Sequence, residues 1–81
     1  MSESKIYSEL DKHIKNIKFS IKNEFETYSI YADYEYAHCK IDLNYNWLEK
    51  DFSNYLKSVA EQIVRMISYE YFYTREYKES R

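Results

Sequence analysis

His38 and Cys39 are adjacent in the sequence, and Asp33 and Glu35 stand two apart just before them. A thiol beside an imidazole could be activated as a nucleophile or share a metal ion, and two carboxylates at that spacing could divide general acid and general base work. Either chemistry needs both groups on one side of the backbone. The alternation around His38 and Cys39 reads as a β-strand, whose successive side chains point to opposite faces, so this pair cannot share a metal ion. Cys39 falls on the apolar row, which predicts an inert buried thiol. Asp33 and Glu35 do share one face, but no pattern of cleft-forming residues accompanies them. His13 stands alone beside a helical stripe. We therefore assign no catalytic residue, cofactor or metal ligand and expect a chain that is not an enzyme.

The chain contains no glycine and no proline. A phosphate-cradling loop, a dinucleotide fingerprint and a nucleophile elbow all need backbone approaches that side chains block, so those chemistries are excluded. Left-handed turn positions are expected at Asn or Asp, the next most tolerant residues. Scarce Gly, Pro, Ala and Arg beside abundant Lys, Asn, Ile and Tyr is the mark of an A+T-rich genome. That composition points to a low-G+C bacterium, its phages or plasmids, or certain viruses.

At 81 residues, 44% hydrophobic and 32% charged, the sequence predicts one small folded domain spanning its whole length. One cysteine leaves no intramolecular disulfide, no stretch approaches the roughly 18 apolar residues of a membrane span, and the polar start MSESK lacks the apolar centre of a signal peptide. The expected location is the cytoplasm of a bacterial host cell, away from membranes.

Ile6, Leu10, Ile14 and Ile17 repeat at helical intervals behind a Ser2 or Ser4 cap. From about residue 17 to 23, Ile17, Phe19 and Ile21 alternate with polar residues as in a strand, although Ile21 would also continue the helical stripe. Asn23-Glu24 is the nearest turn signal. Thr27 to Asp33 and Tyr36 to Leu43 follow as two alternating, aromatic and β-branched segments. Asn46 then reads as a helix cap with Glu49 closing the box, and Leu48, Phe52, Tyr55, Leu56, Val59, Ile63, Met66 and Ile67 keep a stripe that nothing interrupts before about Tyr77. The expected fold is α+β: helix, three-stranded antiparallel meander, long C-terminal helix, with both helices on one face of the sheet and the last turns beyond about residue 68 projecting.

Strand alternation sorts the aromatic segment into two rows. Tyr28, Ile30, Ala32 and Tyr34, with Ala37, Cys39, Ile41 and Leu43, form the core row; Ser29, Tyr31, Asp33, Glu35, Tyr36, His38, Lys40 and Asp42 face out. Net charge is −2, but residues 24 to 51 carry seven acids against two lysines. An acidic sheet face bearing tyrosines suits a basic protein partner, because carboxylates steer and tyrosine supplies rigid contact area. The residues expected to form that surface are Tyr31, Asp33, Glu35, Tyr36 and Asp42, with Glu24 and Glu26 at its rim. A second surface is Lys12, Lys15, Lys18 and Lys22 around Phe19, which reads first as the solvated side of a helix and strand and, as the alternative, as a patch for nucleic-acid phosphates. A third is the run Tyr69, Tyr71, Phe72, Tyr73 and Tyr77, which points in nearly every direction on a helix and needs a cover: the sheet, a second copy in a homodimer, or another protein.

The order helix, three strands, helix is similar to that of double-stranded-RNA-binding domains and of some phage-encoded inhibitors of CRISPR nucleases. The RNA-binding domains resemble one another in placing lysines at the start of their last helix, where this chain has Asn46-Trp-Leu-Glu-Lys-Asp51. The expected function is a small inhibitor or antitoxin-like factor of a phage or mobile element, presenting acidic, tyrosine-rich strands as a nucleic-acid mimic to a basic groove of a nuclease or nucleic-acid-binding protein. The alternatives are a nucleic-acid-binding module and a homo-oligomeric structural protein.

Overall fold

The computed structural model describes residues 2–79, and the side chains of residues 2–73. Its order is α1 (Glu3–Asp11), β1 (Lys18–Glu24), β2 (Thr27–Tyr34), β3 (Ala37–Asp42), α2 (Tyr45–Lys50) and α3 (Phe52–Glu79). This is an α+β fold, with α3 packed on a three-stranded antiparallel sheet ordered β1-β2-β3.

Ser2 caps α1 by accepting a hydrogen bond from the Lys5 amide, and Ile6 and Leu10 are its buried stripe. The helix ends at Asp11, before Ile14 and Ile17 of the expected stripe, and the His13 amide reaches back to the Leu10 carbonyl at 3.0 Å in a tightened last turn. Asn16 then takes the left-handed conformation at φ 65° and redirects the chain into β1. Ile14 is still buried beyond the helix end.

The register places Ile21, Ile30 and Ile41 in one cross-strand row, and Phe19, Ala32 and Cys39 in the next. These rows face Ile6 and Leu10 of α1 and Leu56, Val59, Ala60, Ile63 and Ile67 of α3, which together make a single core. Tyr7 stacks on Phe19 with ring centroids 4.5 Å apart and closes the β1 side.

Two-residue turns join the strands. Glu24 pairs with Thr27, which leaves Phe25 and Glu26 between them, two residues beyond the expected Asn23-Glu24. Phe25 (φ 51°) and Glu26 (φ 62°) are both left-handed, the backbone of a type I′ turn. The second hairpin has Glu35 at φ 54°. Of the left-handed positions, only Asn16 is held by the expected residue type. The right-handed twist of the strands demands φ > 0 in so short a loop whichever side chain is there, and each such residue costs on the order of 1 kcal/mol or more.

The C-terminal third corrects the sequence reading. Asn44, not Asn46, caps the first helix, its side-chain oxygen accepting from the Trp47 amide at 3.2 Å. The long helix is also two helices. Asp51 breaks the run at φ −153° and then serves α3, its carbonyl accepting from the Tyr55 amide at 2.9 Å and its carboxylate from Asn54 at 3.1 Å. Tyr55 returns the favour to the junction, since its hydroxyl accepts from the Asn44 amide at 2.9 Å. At 28 residues, α3 is about 42 Å long, nearly the full 47 Å of the molecule. Among the described residues, no helix is long and apolar enough to cross a membrane.

Candidate functional site

The helices that pack on the sheet, α1 and α3, lie on one face, and the other face is open. Across it run three rows: Lys18, Asp33 and His38; Ser20, Tyr31 and Lys40; Lys22, Ser29 and Asp42. Tyr31 is the centre. Its hydroxyl donates to Glu24 Oε1 at 3.0 Å, and the ammonium groups of Lys22 and Lys40 sit 5.0 and 5.6 Å from its ring centroid. Lys40 also approaches Asp42 at 3.7 Å, and the Asp42 carboxylate, followed by Tyr31, holds the Lys40 ammonium above its ordinary pKa. Ser29 belongs to this row but is only 2% exposed, and its hydroxyl donates to Asp42 Oδ1 at 2.6 Å. A small side chain between the longer Lys22 and Asp42 is covered by its neighbours, which strand alternation alone does not reveal.

The residues expected to form one acidic surface are distributed over three places. Tyr31, Asp33 and Asp42 do share the open face with Glu24, but Lys18, Lys22 and Lys40 share it too. Glu26 lies in the β1–β2 turn. Glu35 and Tyr36 lie in the β2–β3 turn, at the other end of a strand that spans about 23 Å. Tyr36 is not an outward strand residue: it stacks on Tyr71 of α3, centroids 5.2 Å apart and planes 2° from parallel. Tyr34 meets the same ring edge-on at 5.4 Å. Lys40 already stood in the outward row, but Lys18 and Lys22 were missing from the acidic reading because only the register brings β1 beside β2.

The other lysine set does not form a single patch. Lys12 pairs with Glu9 at 3.1 Å on α1, Lys15 lies in the loop after it, and Lys18 and Lys22 belong to the open face. In the aromatic run, Tyr71 is covered by the chain's own Tyr34 and Tyr36, whereas Tyr69, Phe72 and Tyr73 are exposed at 74%, 59% and 63%. The Tyr77 side chain lies outside the described residues. Met66, Tyr69 and Tyr73 border an apolar cleft of about 580 Å³ beside β3, with Cys39 in its lining and Arg65 and Glu70 at its polar positions. Burial, and then the Glu70 carboxylate, raise the Cys39 thiol above its ordinary pKa. His38, the preceding residue of the strand, is exposed and also lines this cleft.

At the opposite end of the sheet, the β1–β2 turn carries a residue that sequence reasoning passed over. Phe25 is 97% exposed. Nearby, Tyr45 packs on Tyr28 with centroids 5.6 Å apart, and partial burial, Tyr28 and then the Glu26 carboxylate raise the Tyr45 phenol. The signal for Phe25 was available: a large apolar residue between two glutamates at the point where two alternating segments meet. No family model, curated protein or solved structure matches the chain.

Proposed function

We propose that this chain is a small non-catalytic protein-binding factor, an inhibitor of the phage or mobile-element type, anti-CRISPR-like or antitoxin-like, acting in the cytoplasm of a bacterial host. Its partner is a protein with a basic groove, of the kind found on nucleases and nucleic-acid-binding proteins. The observation that carries this reading is an entire sheet face left uncovered by the helices, with Glu24, Asp33 and Asp42 around Tyr31 and with Glu26 and Glu35 at its two ends. Those five carboxylates outnumber Lys18, Lys22 and Lys40, so the region as a whole favours a cationic partner.

The test is affinity capture from a low-G+C bacterial lysate, with and without nuclease treatment. A protein retained in both cases, and lost when Asp33→Asn, Glu35→Gln and Asp42→Asn are combined, supports the reading. Capture that disappears on nuclease treatment counts against it.

A second reading, a nucleic-acid-binding module, is favoured by the three lysines around an aromatic ring on an open sheet. It is weakened by how that ring is used: two ammonium groups and a carboxylate already engage Tyr31, and carboxylates separate the lysines. Binding of single-stranded DNA or RNA that weakens steeply with salt would establish this reading over the first.

A further inference from the structure

The two hairpins meet one steric problem in different ways. At Glu35 the left-handed residue is flanked by Tyr34 and Tyr36, both held against Tyr71, so packing within the chain keeps the turn in place. At the β1–β2 turn both central residues are left-handed, yet Phe25 is almost wholly exposed and makes no ring contact among the described residues. Left-handed backbone at a bulky residue persists where something holds it or selects it. The register accounts for the length of this turn but not for a phenyl ring at its tip. Asparagine fits the same backbone, and the chain uses it at Asn16 with φ 65°. A+T-rich coding supplies asparagine freely, so composition does not explain the choice either.

Charge indicates what the ring is for. Glu24 is engaged by the Tyr31 hydroxyl, while Glu26, exposed beside Phe25, has no ion pair among the described residues. An aromatic anchor beside an unpaired carboxylate fits an apolar pocket with a cationic rim. We propose that Phe25 is the anchor of the binding surface, inserting into an apolar pocket on a basic protein partner while Glu26 pairs with a lysine or arginine at the pocket's rim. This rests on the protein-binding reading above and adds to it the contact that is made at the β1–β2 tip.

The probe is a displayed library of a small helical scaffold whose surface positions are randomised among Lys, Arg, Leu, Trp and Ser, selected on the wild-type chain. The expected result is binders that lose at least about tenfold in affinity on Phe25→Ser, a loss of the size that truncating an anchor residue gives. That variant should melt no lower than wild type, and the turn-compatible Phe25→Asn/Glu26→Gly variant should melt roughly 10 °C higher, as relief of two left-handed side chains in a domain this small implies. Binders indifferent to Phe25→Ser, or a clear drop in its melting temperature, would overturn the inference. Binders sensitive only to the Asp33, Glu35 and Asp42 substitutions would leave the surface reading standing and this inference fallen. Failure to select any binder would remove both. Self-association in sedimentation that Phe25→Ser abolishes would make a second copy the occupant, and would overturn the basic-partner form.

Discussion

The two faces of the β-sheet are built by the same three strands and stabilised by different means. On the covered face, Ile21, Ile30 and Ile41 make one apolar row under α1 and α3, and Ile30 is fully buried. On the open face, the neighbouring row of Ser20, Tyr31 and Lys40 is held by a phenol–carboxylate hydrogen bond and two cation–π contacts. Hydrophobic burial is non-directional and adds up over area, whereas exposed charge contacts are screened by solvent and worth little each. One face therefore carries stability. The other is left able to carry recognition, because changing its residues leaves the core intact.

Substitutions at adjacent positions should expose this contrast, beginning with the largest effect. Ile30→Ala empties the middle of the covered row and is expected to cost about 3 kcal/mol, read from urea or thermal unfolding. That is a large share of the stability of so small a domain. Ser29→Ala, one residue away on the open face, removes the bond to Asp42 and is expected to cost about 1 kcal/mol in the same assay. Tyr31→Phe keeps the ring between Lys22 and Lys40 but loses the hydroxyl bond to Glu24, and should cost about 0.5 kcal/mol. Equal losses at positions 30 and 31 would erase the distinction between the faces.

The smallest effect concerns Cys39, which links the covered face to the cleft beside α3. Its thiol pKa is raised by burial and by Glu70, so the folded state binds the proton more tightly than the unfolded state does. The contribution to stability is complete below the unfolded thiol's pKa and is lost as pH rises through the folded value. Unfolding followed between pH 7 and 10 should therefore show a small loss on the alkaline side that is absent in Cys39→Ala. Glu70→Gln removes the secondary cause and should speed iodoacetamide labelling at pH 8, by less than the tenfold that one full pKa unit would give. Unchanged labelling would separate Glu70 from the thiol.

Much of the architecture was legible because period two and period 3.6 are written directly in the residues. The two strands and the stripe Leu56, Val59, Ile63, Ile67 appear where expected, whereas Tyr34, assigned to the core row, is exposed and Ser29, assigned to the outer row, is buried. The cap of α2 was harder, because Asn44 and Asn46 are both acceptable cap residues. The missed clue is the flanking pair Leu43 and Leu48, both in the core. They stand just before the cap and four residues after it if the cap is Asn44, as a hydrophobic staple requires. Asp51 was read through as helix because an aspartate is only a mild interruption of a helical stripe. Its role emerges from the hydrogen bonds it makes to Tyr55 and Asn54.

The candidate surface was less legible than the fold. That Tyr31, Asp33 and Asp42 face away from the core follows from alternation alone. That Lys18 and Lys22 come from β1 to join Lys40 beside them follows only from register.

The order of side chains along the chain determined which elements form and which sides they bury, because apolar periodicity must match backbone geometry before any long-range contact exists. Tertiary structure decided which strand lies beside which, and so which charges cancel around Tyr31. It also forced Phe25, Glu26 and Glu35 into left-handed backbone that their own types disfavour. The reason is common to both: pairing distant segments in one register is a property of the whole sheet, and no local preference of about 1 kcal/mol can outweigh a core shared by three strands and three helices.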